Sequence, residues 1–216
     1  MVYGKRIILA CLLALVISLL VNGFDIYANY QAVSPNGSQG PLWSVIFLAG
    51  LPLLAVIFVL LPASLIGLIF KSSRRTSFII LLCSIIYFGT AIVCLRLSDK
   101  VRMAAFHKLS KRSEPLVNAI KTYESKYGTP PASLEGLVPD FLPKLPQTGM
   151  GAYPEYQYKV GQEAQEFAQD EWCLVIGTPS GGINFDIFIY FPNQNYPEHG
   201  YGGVLERTGD WAYVHE

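Results

Sequence analysis

Residues 77–97, SFIILLCSIIYFGTAIVCLRL, carry no charge before Arg96, and residues 98–128, SDKVRMAAFHKLSKRSEPLVNAIKTYESKYG, follow without a break in helical character. In the second stretch Lys100, Arg102, Lys108, Lys111 and Arg112 alternate with Val101, Met103, Phe106 and Leu109, and Leu116, Ile120 and Tyr123 then resume a stripe at helical spacing. An apolar span of this length is what a bilayer's hydrocarbon core requires of a helix, about 20 residues. The join predicts a membrane-rooted helix that leads into a polar domain.

The charge distribution agrees with two unlike halves. The first 97 residues hold the bases Lys5, Arg6, Lys71, Arg74, Arg75 and Arg96 and the single acid Asp25, while most of the chain's acids lie beyond residue 97. Two further stretches, 7–24 and 43–70, are long and apolar enough to span, so three transmembrane helices are expected in a membrane domain of residues 1–97. Residues 22–25 lack a small-x-small cleavage pattern, so the first span is read as retained, and Cys11 has too short an apolar run before it for a lipoprotein signal. Pro52 and Pro62 interrupt the second span in a way membrane helices tolerate. The base-free loop 25–42 and the early Lys5-Arg6 pair place the N-terminus in the cytoplasm and the C-terminal domain outside it, against the contrary bases from Arg96 to Arg112. The expected address is a multi-pass protein of the inner (cytoplasmic) membrane with a periplasmic head. Cys11, Cys83 and Cys94 fall in the apolar spans and only Cys173 in the head, which excludes an internal disulfide there. Asn36-Gly37-Ser38 fits a glycosylation sequon.

Residues 98–112 are read as a basic juxtamembrane helix and 113–216 as the head. Ser113-Glu114-Pro115 predicts a kink or a helix restart, since proline suits a first turn and not an interior one. Leu116, Ile120, Tyr123 and Tyr127 share one face, and Gly128 ends the helix. Residues 133–138 make about two turns, among prolines at 130, 131, 139, 143 and 146. Period two then takes over: Tyr156 and Tyr158, the run 172–176, the alternation from Phe185 to Phe191, and 204–207 with 211–214 flanking the turn Thr208-Gly209-Asp210. The expected fold is an α+β head, one long helix packed on an antiparallel sheet of four or five short strands.

The residues Ala119-Ile120-Lys121-Thr122-Tyr123 through Gly128-Thr129-Pro130, then Ser133-Leu134, Leu137-Val138-Pro139, Leu142-Pro143-Lys144-Leu145-Pro146 and Tyr156-Gln157-Tyr158 resemble the head of type II secretion major pseudopilins and related type IV pilin-like proteins. The resemblance covers residues 77–216 and implies a membrane helix extended into a head with a small antiparallel sheet. The prepilin peptidase motif is absent, with no glycine before Ser77 and Leu82 where that family has glutamate. Family members often bind calcium near the C-terminus, which points to Asp210 in Thr208-Gly209-Asp210-Trp211, although one aspartate falls short of calcium's six to eight oxygens.

The chain contains no phosphate-binding glycine loop, His-Glu-x-x-His or Cys-x-x-Cys motif, and no catalytic residue is assigned. Ser180 lacks the Gly-x-Ser-x-Gly elbow and reads as a turn residue. His199 and His215, each beside a glutamate, are the other metal candidates. Glu163, Glu166, Asp170 and Glu171 read as a solvated acidic loop, and the many head tyrosines and tryptophans as strand core. Lys100, Arg102, Lys108, Lys111 and Arg112 are expected at an anionic lipid surface, and nucleic acid is not an expected partner. The partners implied are the bilayer and other membrane or envelope proteins. Protein contact in an envelope assembly is the expected mode of action, with a ligand- or cation-binding sensor as the alternative and a membrane enzyme third.

Overall fold

A computed structural model describes residues 2–38, 41–180 and 184–215; the side chains of residues 2, 41–49, 51 and 199 lie outside that description. The helices α1 (Val2–Val33), α2 (Pro41–Gly67) and α3 (Arg74–Tyr127) come first. A short 3-10 turn (Leu134–Leu137), β1 (Gln157–Val160), α4 (Gln162–Ala168), β2 (Trp172–Gly177), β3 (Ile187–Tyr190), β4 (His199–Gly200), β5 (Gly203–Thr208) and β6 (Trp211–His215) follow. The chain divides into two compact units. One holds Met1–Tyr30 and Gln39–Val101, the other Gln31–Ser38 and Arg102–Glu216.

In the first unit α1 and α3 run parallel. The Tyr3 hydroxyl donates to the Arg75 carbonyl at 3.1 Å, Ser18 Oγ to the Tyr87 carbonyl at 3.3 Å, and Asn29 Nδ2 to Ser98 Oγ at 2.8 Å. The buried side chains of this seam are small or polar, namely Ser18 and Asn29 on α1 and Ser77, Ser84, Tyr87, Cys94 and Ser98 on α3. Their spacing along α3 alternates threes, fours and sevens, as a left-handed helix pair demands, and small residues let two backbones approach. Leucines, isoleucines and valines face outward instead. Ser73 Oγ and Arg74 Nε cap the end of α2 by donating to the carbonyls of Gly67 and Leu68 at 2.8 and 3.0 Å. Among the described residues two helices are long and apolar enough to cross a membrane, within Tyr3–Val33 and Arg74–Tyr127, and Pro52–Gly67 is a shorter apolar helix.

The second unit is a helix on a six-stranded antiparallel sheet of order β1-β2-β3-β6-β5-β4, one strand more than expected because the two-residue β4 pairs with β5. The pleat sorts the side chains. Trp172, Leu174, Ile176, Phe188, Tyr190, Trp211 and Tyr213 face α3, where they meet Phe106, Leu109, Leu116 and Ile120. Cys173, Val175, Ile189, Phe191, Ala212 and Val214 face the other way and are covered by Ala164, Phe167 and Ala168 of α4 with Tyr196 and Tyr201. Phe106 lies 4.9 Å from the Phe188 ring and 4.8 Å from Tyr213, and Phe188 stacks on Trp211 at 5.0 Å.

Three expectations are corrected. Of the two outcomes expected at residues 113–115, a kink or a restart, the restart is overturned, because α3 runs through Pro115. Pro115 and Lys111 are both exposed, so the Lys111 carbonyl that proline leaves without a donor faces water, and Ser113 Oγ secures the inner side by donating to the Leu109 carbonyl at 2.8 Å. The first helix continues past Phe24 to Val33, its polar end held where Asn29 meets Ser98 and where Ala32 enters the head's core. The acidic stretch is not a solvated loop: Glu163 and Glu166 are exposed on α4, whereas Asp170 is buried and accepts a hydrogen bond from Asn193.

Candidate functional site

The second unit buries one ionic centre. Arg102 lies at the start of the stripe Arg102, Phe106, Leu109, Ser113, Leu116, Ile120, and every member of that stripe is buried. Its guanidinium is 5.3 Å from the Phe106 ring and 5.5 Å from that of Tyr213. Nη2 is 2.6 Å from the Thr178 carbonyl, 3.1 Å from the Tyr213 hydroxyl and 3.4 Å from Asp186 Oδ2, and Nη1 is 3.4 Å from the Tyr153 hydroxyl. Tyr213 also donates to Asp186 Oδ2, and Tyr153 to the Pro179 carbonyl at 2.6 Å.

The loop joining β2 to β3 presents the carboxylate. Thr178 N–H donates to the Asp186 carbonyl at 2.8 Å and closes the loop's base. Asn184 Oδ1 accepts from the backbone N–H groups of Ser180 and Asp186 at 3.0 and 3.1 Å, the side-chain-to-backbone turn that asparagine favours. Asp186 is thus held between a guanidinium and a phenol, the condition under which a buried carboxylate is tolerated. Burial pushes the Tyr213 and Tyr153 hydroxyls above the usual phenol range, so both stay protonated donors. His215 Nδ1 lies 3.8 Å from Asp186 Oδ1 with its side chain half exposed, so an imidazole links the centre to solvent.

This centre overturns one lipid-surface assignment. Arg102 is 3% exposed and belongs to the head's core, its charge answered by Asp186 and carbonyls, not by phospholipid. Lys100, Lys108 and Lys111 are exposed as expected. Arg112 is exposed over part of its length while donating to the Thr148 carbonyl, and a Cβ on Gly149 would meet its Nη1 at 1.9 Å. The stripe itself was the signal for Arg102, since it falls four and seven residues before Phe106 and Leu109. Nothing local marked Asp186 as its partner.

The metal candidates separate. Asp210 is exposed at the β5–β6 turn, and its carbonyl already accepts from Gln194 and from the Tyr196 hydroxyl, the latter at 2.8 Å. His199 and His215 share a sheet row, each paired with Val204, and the His199 side chain lies outside the described residues. Among the described residues no three His, Cys, Asp or Glu side chains are grouped to hold a metal. Ser180 is partly buried, and Gly181 and Gly182 beside it lie outside the described residues.

A feature with no local sequence signal is the strap Gln31–Ser38, which belongs to the head unit. Ala152 and Gly151 N–H groups donate to the Ala32 and Ser34 carbonyls at 3.1 and 2.8 Å. The approach is close enough that a Cβ on Gly151 would meet the Gly37 carbonyl oxygen at 2.0 Å. Comparison of the chain with protein-family models, with curated proteins and with solved structures finds no match.

Proposed function

We propose that this is a three-pass inner-membrane protein that presents a pilin-like periplasmic head for contact with other envelope proteins, in the manner of a secretion-type assembly and not by catalysis. The observation that carries this reading is the pairing of a parallel α1–α3 seam with a strap that joins α1 to the head. Two parallel spanning helices require the chain to return between them. The segment available is α2, whose 27 residues make about 40 Å of helix. The strap and the sheet share one compact unit, so the exits of α1 and α3 fall on one side of the bilayer. Lys5, Arg6, Lys71, Arg74 and Arg75 then fall together on the opposite side, the side the positive-inside rule makes cytoplasmic. Arg102 no longer counts against this orientation, because its charge is neutralised inside the head.

Lys126→Cys and Lys71→Cys chains, treated with an impermeant maleimide in spheroplasts, test the arrangement. The first is expected to label directly and the second only after lysis, and the reverse pattern would overturn the orientation. A photo-crosslinking residue at exposed Tyr127 is expected to give discrete adducts with another envelope protein in native membranes. A head that forms none from Tyr127 or from other exposed positions removes the contact role.

A further inference from the structure

Both chain segments that lead from the apolar helices enter the head at one end of its sheet. Arg102 opens the head's share of α3, and the Ala32 carbonyl, at the end of α1, accepts from Ala152 N–H at 3.1 Å, beside Tyr153, whose hydroxyl is 3.4 Å from Arg102 Nη1. The β2–β3 loop is fixed at the same end, because Arg102 Nη2 donates to the Thr178 carbonyl at 2.6 Å and to Asp186 Oδ2 at 3.4 Å. Leu97, where the apolar run of α3 stops, lies five residues before Arg102 in one continuous helix, about 7.5 Å along its axis. A bilayer's polar layer is about that thick on each side of the hydrocarbon, so the loop stands at headgroup height. Two apolar side chains are exposed here: Phe185, next to Asp186, at 69%, and Val204 at 63%. Val204 pairs with His215, whose Nδ1 lies 3.8 Å from Asp186 Oδ1, so the two side chains stand at one end of neighbouring strands. The other end of these strands exposes Asn193, Asn195, Arg207 and Asp210 instead.

We propose that this end of the head rests in the headgroup–hydrocarbon boundary of the bilayer, with Phe185 and Val204 as the inserted side chains and Lys100 beside lipid phosphate. This rests on the membrane reading above. Aromatic side chains suit that layer, and Lys100, exposed two residues before Arg102, stands at the height of the phosphates. The carboxylate at this end does not oppose insertion, because Arg102 answers its charge inside the fold. The exposed acids Glu198 and Glu206 stand one and two residues further from the end than the His199–Val204 pair, which limits insertion to the side chains of the rim. The polar end around Arg207 and Asp210 is then directed away from the lipid.

The full-length chain with p-benzoylphenylalanine in place of Phe185, in vesicles of phosphatidylethanolamine and phosphatidylglycerol, tests the contact. Irradiation is expected to add the mass of one phospholipid to the peptide that holds residue 185. The same replacement at Val204 should also give a lipid adduct, and at Asp210, exposed at the far end, it should give none. Flotation of the same vesicles reads membrane residence separately. A chain that floats yet forms no lipid adduct from 185 or 204, forms as much from 210, or is joined to a second copy of itself instead, overturns the lipid contact alone. A chain that fails to float overturns the anchor on which it rests.

Discussion

Where α1 meets α3, the inward side chains are Ser18, Asn29, Ser84 and Ser98, and Ile8, Leu12, Leu20, Ile92 and Val93 point outward. Where α3 meets the sheet, Phe106, Leu109, Leu116 and Ile120 point inward, and Lys108, Lys111, Asn118 and Lys121 point outward. One helix contributes to both contacts, so helix-forming tendency cannot account for the inversion. Under the membrane placement proposed above, the solvent accounts for it. In water each large apolar side chain gains about 1.5–3 kcal/mol by burial, so the aromatic residues go inside. In hydrocarbon that gain vanishes, and close backbone approach with interhelical hydrogen bonds of about 0.6 kcal/mol each is what remains. The head is expected to be sensitive to single core changes, and the seam to be tolerant.

The sharpest way to break this contrast is at the ion pair buried in the head. Asp186→Ala leaves the Arg102 guanidinium buried without its carboxylate and is expected to cost about 3–5 kcal/mol. Thermal unfolding of the full chain in detergent, followed by the fluorescence of buried Trp172 and Trp211, reads the loss. The double variant Arg102→Met, Asp186→Leu should recover most of it, since an apolar pair of similar volume needs no desolvation. Wild-type stability in Asp186→Ala would mean that the tyrosines and the Thr178 carbonyl alone satisfy the arginine.

Much of this was legible along the chain. The stretches 7–24 and 77–97 lie within α1 and α3, 43–70 overlaps α2 and runs past its end at Gly67, and the Thr208-Gly209-Asp210 turn joins β5 to β6 with Gly209 at φ 62°. Period-two alternation was readable because a half-buried strand must alternate. The unreadable parts share one cause, distance along the chain. Arg102 meets its carboxylate 84 residues later, and Ala32 meets its core neighbours in the head, so neither leaves a local pattern. The helix α4 was hidden because Glu163, Glu166 and Asp170 suggested solvation, while only Ala164 and Ala168, four apart, carried its buried face.

A second test asks whether the strap belongs to the head, as its backbone bonds require. Gly151→Val drives a side chain into the Gly37 carbonyl and should cost about 1–3 kcal/mol as overpacking. Limited proteolysis in residues 34–38 should rise with it, and a strap that stays protected would separate it from the head's energetics. A third uses pH. Burial pushes the Cys173 thiol from an ordinary 9.0 up to about 12, so the fold favours the protonated form. That stability is present in full below about pH 9 and declines as pH rises from there towards 12, at about 1.4 kcal/mol per pH unit. Unfolding midpoints from pH 8 to pH 11 should fall less steeply in Cys173→Ala, and parallel slopes would show that the thiol is not the titrating group.

The smallest effect is expected in the seam. Asn29 donates to Ser98 Oγ at 2.8 Å and to the Asp25 carbonyl at 3.1 Å, so Asn29→Val removes an interhelical bond together with one that stays within α1. Were the seam packed like the head, the loss of a buried polar partner would cost several kcal/mol by stranding the serine. At this polar end of the seam, just past the 7–24 and 77–97 stretches, Ser98 can turn its hydroxyl back to a carbonyl one turn earlier, as Ser113 does to Leu109, or to water. The expected loss is therefore about 0.6 kcal/mol, read as a small shift in the midpoint of an SDS titration of the full chain in mixed micelles. A loss comparable with that of Asp186→Ala would place the seam in a medium where an unpaired hydroxyl finds no substitute, and the inversion between the two faces of α3 would need a cause other than solvent.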